Sequence, residues 1–191
     1  MASLICLVIG GVRSGKSAFA ENKVVEFNSL TDNSILYVAT GMAFDEEMED
    51  RIRRHRESRP CDWSTLDEPV LVPEKLSATL RKADSVGAVI IDSIDVWVAN
   101  LLMQSQTEER LTQEKIVMDE SDKLISLIVD ARQPFVLVTS EVGLSLVSPE
   151  PLGRLYQDLL GMVNQRIAAV ATEVHLVVAG IPNIIKSAST E

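Results

Sequence analysis

Leu4-Ile-Cys-Leu-Val-Ile9, followed at once by Gly10-Gly-Val-Arg-Ser-Gly-Lys-Ser17, decides how the rest of the chain is read. The first six residues are apolar without alternation, the pattern of a strand covered on both faces of a parallel sheet. The next eight fit G-x-x-x-x-G-K-[ST]. Glycines suit this loop because backbone N–H groups must turn inward around phosphate oxygens in conformations that side chains would obstruct. A helix starting near Lys16 would point its positive end at the same anion. In this pattern the lysine, Lys16, reaches the β- and γ-phosphates and the hydroxyl of Ser17 takes Mg²⁺. The bland alternative is a glycine-rich turn joining strand to helix, but strand, loop and helix signals in the required order favour nucleotide binding.

Four further aliphatic runs share the character of the first: Ile35-Leu-Tyr-Val-Ala39, Ala88-Val-Ile-Ile-Asp92, Phe135-Val-Leu-Val-Thr139 and Val174-His-Leu-Val-Val178. Between them apolar residues recur at helical spacing: Ala20, Val24 and Phe27; Leu124, Ile128 and Ala131; Leu152, Leu155, Leu159 and Met162. Alternating strands and helices predict right-handed crossovers and a three-layer α/β domain. Gln104 to Glu114 reads as a solvated loop or a helix start. No repeat, low-complexity tract or shift in composition divides the chain, so residues 1–191 are expected to form one nucleotide-binding transferase domain.

Composition agrees with a globular chain: 191 residues, 46% hydrophobic and 24% charged. Asp and Glu number 28 against 18 Lys and Arg, a net charge of -10. That balance argues against a nucleic-acid partner, whose binding needs a basic surface. It leaves small anions open, because they respond to local field. Cys6 and Cys61 form no CxxC pair, and Cys6 in its apolar run reads as a small core residue. No stretch reads as a membrane span or targeting segment. A reducing, cytoplasmic setting is expected.

Asp92 closes the Ala88–Ile91 run and is the best candidate for the carboxylate on the metal side of a nucleotide site. The next residue is Ser93, where many ATP-driven motors carry a water-activating Glu, so transfer to an acceptor other than water is favoured. Residues 51–59 read Arg-Ile-Arg-Arg-His-Arg-Glu-Ser-Arg, placing five basic residues within nine positions. Asp45, Glu46, Glu47, Glu49 and Asp50 suit the start of the same helix, and Pro60 discourages its continuation. On that helix Glu47, Arg51, His55 and Arg59 would share a face beside an apolar stripe of Phe44, Met48 and Ile52. Charge runs are usually solvated faces. The other reading is a neutral imidazole at His55 among guanidinium groups that hold a polyphosphate, a suitable nucleophile toward phosphorus. His175, mid-strand in an apolar run, reads as a satisfied core group.

Taken together, these blocks resemble the bifunctional adenosylcobinamide kinase/adenosylcobinamide-phosphate guanylyltransferase family of cobalamin biosynthesis. The resemblance runs from about residue 4 to 182. It is carried by Gly10–Ser17, Tyr37-Val-Ala-Thr40, Asp45-Glu-Glu-Met48, and the block His55-Arg56, Arg59-Pro60, Trp63 and Thr65. Asp92, Trp97, Asn100-Leu-Leu102, Glu141-Val-Gly143 and Gly161-Met-Val-Asn-Gln165 complete it. It implies an α/β fold of the three-layer P-loop NTPase, RecA-like type, with a mostly parallel central sheet. It also implies two reactions. A nucleoside triphosphate, ATP or GTP, phosphorylates the aminopropanol hydroxyl of adenosylcobinamide. The histidine matching His55 then attacks the α-phosphorus of GTP, releases pyrophosphate and passes GMP to the cobinamide phosphate.

By the same resemblance Lys16 and His55 are the catalytic residues. Gly10, Gly11, Val12, Arg13, Ser14, Gly15, Lys16 and Ser17 cradle the nucleotide, with Thr40, Gly41, Met42, Arg59, Asp67 and Asp92 contacting the guanine nucleotide or its metal. Ser17 and Asp92 would hold Mg²⁺, the corrinoid is the partner molecule, and a homotrimer is suggested. The chain departs from the family where Asp67 replaces a usual Glu, Asp95 a Thr and Ser140 an Asn. Two other readings stay open on the residues: a small-molecule kinase in which His55 only binds phosphate, and a non-catalytic nucleotide-dependent switch.

Overall fold

A computed structural model describes residues 4–29, 31, 33–42, 50, 53, 56, 60–83 and 85–187. Its strands are β1 (Ile5–Gly10), β2 (Ser34–Ala39), β3 (Ser64–Asp67), β4 (Val86–Asp92), β5 (Phe135–Ser140), β6 (Glu173–Val178) and β7 (Ile181–Lys186). The helices are α1 (Lys16–Asn28), α2 (Val72–Lys82), α3 (Ile94–Gln104), α4 (Arg110–Asp130) and α5 (Pro151–Val170). All seven strands form one sheet in the order β3-β2-β4-β5-β1-β6-β7. Every pair is parallel except β6 with β7.

The pleat sorts side chains into two cores. Ile5, Leu7 and Ile9 of β1, with Phe135 and Leu137 of β5, face the helices α2 to α5 and meet Leu76, Trp97, Leu124, Leu159 and Val163. Cys6 and Val8, with Val136 and Val138, face α1 and meet Ala20 and Val24. Strands β1 and β5 are consequently buried along their whole length, which accounts for their unbroken apolar sequence. Each fully buried Leu or Ile side chain contributes about 1.5–3 kcal/mol. Trp97 sits at 0% exposure and can do so because its indole N–H donates to the Val70 carbonyl at 2.8 Å.

The five expected strands are all present: the first is shifted by one, leaving out Leu4 and taking in Gly10, and the other four are longer by a residue or two. Two strands go beyond the expectation. β3, Ser-Thr-Leu-Asp, is short, largely polar and at one edge. β7 contains Pro182 and lies fully exposed at the other edge, where a residue lacking an N–H is tolerated. The helical spacings hold in part: Leu155 and Leu159 are buried, whereas Leu152 and Met162 at either side of them are exposed. Gln104 to Glu114 divides into the end of α3, a turn and the first residues of α4, with Gln113 buried against the Ser105 carbonyl. Among the described residues no helix is long and apolar enough to cross a membrane.

Candidate active site

Parallel pairing aligns the C-terminal ends of the strands, and the helix-entering loops gather there. Gly10 pairs with Ser140, Ala39 with both Asp67 and Asp92, and Asp92 with Val138. The loop after β1, the residues around Thr40, Asp67 at the end of β3 and Asp92 at the end of β4 therefore occupy one edge of the sheet.

The loop is held by its own backbone. Ser14 N–H donates to Gly11 O at 3.2 Å, and the amine of Lys16 closes the same turn on Gly11 O at 3.2 Å. Arg13 at φ 55° and Gly15 at φ 92° adopt left-handed conformations that curl the chain. Gly10 is required by space: a Cβ there would stand 2.4 Å from Ser14 Oγ and 2.8 Å from the Val177 carbonyl oxygen. From outside, the Ser14 carbonyl accepts a 2.8 Å bond from Gly180 N–H in the β6–β7 turn. Helix α1 begins on Gly15 with no side-chain cap and no acid in its first turn, so its unpaired N–H groups and positive end are open to an anion. Ser14 Oγ is buried and among the described groups has no hydrogen-bond partner. A tight glycine turn with no room for a side chain at Gly10, an orphaned hydroxyl and an uncapped helix start fit a bound phosphate.

Asp92 is half-buried, and its Oδ2 accepts the hydroxyl proton of Tyr37 at 2.7 Å. Thr40 lies at 0% exposure: its hydroxyl donates to Ser93 O at 2.9 Å and accepts from Ser93 N–H at 2.8 Å. Asn100 of α3 donates to Thr40 O at 2.8 Å and to Pro69 O at 2.9 Å, sewing β2 to the segments after β3 and β4. Thr40 thus acts on the site through this scaffold, while Gly41 is exposed and Met42 half-buried beyond it. The Tyr37, Ser93 and Asn100 contacts were not assigned from the sequence. They join residues 31 to 60 positions apart, and no local pattern marks such bonds.

Asp95 and Ser140, two of the three residues that depart from the expected family pattern, meet one another. Ser140 donates to Asp95 Oδ2 at 2.6 Å, and Tyr156 donates to the Asp95 carbonyl at 3.3 Å. Burial, with the Asp95 charge adding to it, pushes the Tyr156 phenol well above its ordinary range. Asn164 completes the group, accepting from Thr139 at 2.8 Å and donating to Ser140 O at 3.1 Å.

His55 and Arg59 lie outside the described residues, as do Glu47, Arg51, Phe44, Met48 and Ile52. Their described neighbours Asp50, Arg53 and Arg56 are helical. Arg53 pairs with Asp50, and Arg56 reaches Asp67 at 3.7 Å. Arg56 thus lies near Asp67 on the sheet edge that carries the phosphate loop. His175 is buried as expected, with Nε2 2.7 Å from Glu173 Oε2.

With this geometry established, the comparisons with known proteins give a consistent answer. The family model CobU, "Cobinamide kinase / cobinamide phosphate guanyltransferase", matches residues 6–185. The bifunctional adenosylcobalamin biosynthesis protein CobU of Salmonella typhimurium is 36% identical over 184 residues, covering 93% of this chain and 97% of that protein. The Escherichia coli protein of the same name is 34% identical with the same coverage. Among solved structures, the flagellar accessory protein FlaH from Methanocaldococcus jannaschii aligns with a TM-score of 0.54 at 15% identity, over 96% of this chain and 78% of that one. That likeness concerns the fold alone, a P-loop NTPase architecture with a mostly parallel sheet. The chain belongs to the cobinamide kinase / cobinamide phosphate guanyltransferase family.

Proposed function

We propose that this protein phosphorylates adenosylcobinamide and then transfers GMP from GTP to the resulting phosphate, giving adenosylcobinamide-GDP. The observation that carries the reading is the phosphate cradle at Gly10–Ser17, on the same sheet edge as Asp67, which Arg56 approaches to 3.7 Å. In the first reaction the loop N–H groups and Lys16 stabilise charge on the transferring phosphoryl group of ATP or GTP. Ser17 and Asp92 are the residues that would hold Mg²⁺, with Tyr37 orienting the aspartate through its hydrogen bond to Oδ2. Bound there, the cation would neutralise charge on the phosphate oxygens.

In the second reaction a His55 ring nitrogen attacks the α-phosphorus of GTP, and the bond to the bridging oxygen breaks with loss of pyrophosphate. The cobinamide phosphate oxygen then displaces the histidine. Arg59 and Asp67 contact the guanine nucleotide, while Thr40, Gly41 and Met42 shape its seat from the end of β2. The corrinoid is the acceptor in both steps. Residues 1–191 act as one transferase domain in a cytoplasmic homo-oligomer with no nucleic-acid partner.

The deciding experiment is incubation with α-labelled GTP and Mg²⁺. Label bound to protein, stable to base, labile to acid and lost in His55→Ala, is the expected outcome. If GTP binds and no protein-bound label forms, the histidine step is wrong and His55 serves only to bind phosphate.

A further inference from the structure

At the other end of β1, away from the phosphate loop, lies a second cluster of reactive side chains that neither reaction uses. Cys6 of β1 pairs in register with Glu173 of β6, and His175 stands two residues further along the same strand. Alternation puts all three on the face covered by α1. Donor atoms from the thiol, the carboxylate and the imidazole lie within 4.8 Å of one another. Cys6 is at 0% exposure and His175 at 6%, and Glu173 forms the more open side of the group. The Phe19 ring of α1 packs 5.0 Å from the imidazole and holds its plane. His175 Nε2 is engaged with Glu173, yet Nδ1 is buried without a hydrogen-bond partner among the described groups.

We propose that Cys6, Glu173 and His175 bind one thiophilic divalent cation of the zinc class. A sulfur, a nitrogen and an oxygen donor form a set that suits zinc and disfavours magnesium or calcium, which take oxygen ligands. Metal–donor bonds of about 2.0–2.3 Å in a tetrahedron leave donors roughly 3.3–3.7 Å apart, so donors that already lie within 4.8 Å of one another need only small side-chain shifts to close on a cation. Water would complete the fourth position from the Glu173 side.

The cation must compete with Lys23, whose ammonium group is 3.1 Å from Glu173 Oε2. The structure gives Lys23 another seat: Glu26 offers both oxygens at 3.1 and 3.2 Å, and the Phe27 ring centroid is 5.1 Å away. Two positive charges enter with the cation and one leaves as a proton, so the site gains one. The Cys6 thiol, which burial and the Glu173 carboxylate push up to about 12, enters as the protonated form. Binding forms the metal–sulfur bond and releases that one proton to solvent, while the imidazole stays neutral.

Cobalt(II) is the probe, titrated into the full chain without nucleotide. A thiolate-to-cobalt charge-transfer band should grow to one equivalent, with one proton released per cobalt and reversal by zinc. The chain has two cysteines, so Cys61→Ser identifies the ligand without touching the core. The band must survive in that variant. Lys23→Met should tighten cobalt binding by roughly tenfold, since a competing positive charge is removed. The proposal fails if millimolar cobalt produces no thiolate band, if cobalt binds only through oxygen or nitrogen donors, or if Cys61→Ser abolishes the band. None of these results bears on the labelling experiment above, because that experiment concerns the opposite end of β1.

Discussion

The two ends of the β1–α1 unit solve the problem of charge in different ways. At the C-terminal end of β1, the proposed anion site is made from backbone: turned N–H groups, glycines without Cβ atoms and the start of a helix. Toward the N-terminal end, where Cys6 and its register partner Glu173 stand about 13 Å from Gly10 at some 3.3 Å per residue, side chains do the work through Lys23, Glu173 and His175. The backbone site is contiguous and depends on space and φ angles. The side-chain site is dispersed and depends on which donors happen to meet. Substitutions should therefore differ in kind at the two ends as well as in size.

Lys16→Ala tests the upper end most severely. The nucleotide cradle stays, but its mobile cation is gone, and kcat for phosphoryl transfer to adenosylcobinamide should fall ~10²–10³-fold. Steady-state kinetics would check this, and unimpaired transfer would remove Lys16 from the kinase step. Gly10→Ala is subtler in chemistry and still costly, because the new methyl must displace the Val177 carbonyl as well as Ser14 Oγ. We expect about 1–3 kcal/mol of lost stability in urea unfolding, with weaker nucleotide binding alongside it. At the lower end Lys23→Met should cost only about 1 kcal/mol in the same measurement, since Glu173 keeps its bond to His175. A larger loss there than at Gly10 would reverse the ranking of the two ends.

The same contrast explains what could be read in the chain and what could not. Ile5–Gly10, Val86–Asp92 and Phe135–Ser140 are central strands covered on both faces, and their apolar runs announce them. Ser64–Asp67 lies at an edge, where one-sided burial leaves no such run, and Pro182 masks β7. In the site, Gly10–Ser17 is legible because the chemistry needs neighbours in sequence. The Thr40–Ser93–Asn100 bonds and the Ser140–Asp95 bond are not, because they form across 45 to 60 residues only after the sheet has paired. His55 stands out in the sequence by its arginine neighbours, of which Arg56 lies 3.7 Å from Asp67 at the end of β3.

One contact in the upper region has a consequence for protein engineering. Gly180 N–H grips the Ser14 carbonyl, and Gly15 would meet Gly180 Cα at 3.2 Å if it carried a Cβ. The hairpin tip is thus a splint on the outside of the phosphate loop, while β7 carries the chain back to Lys186, opposite Val174. Lys186 there seats its amine on the carbonyls of Ala168 and Ala169 at the close of α5. A tag or fluorophore grafted at Ala179 or Gly180 would sit against the nucleotide cradle and report on it. One attached after Lys186 would ride at the base of the sheet, clear of the catalytic edge.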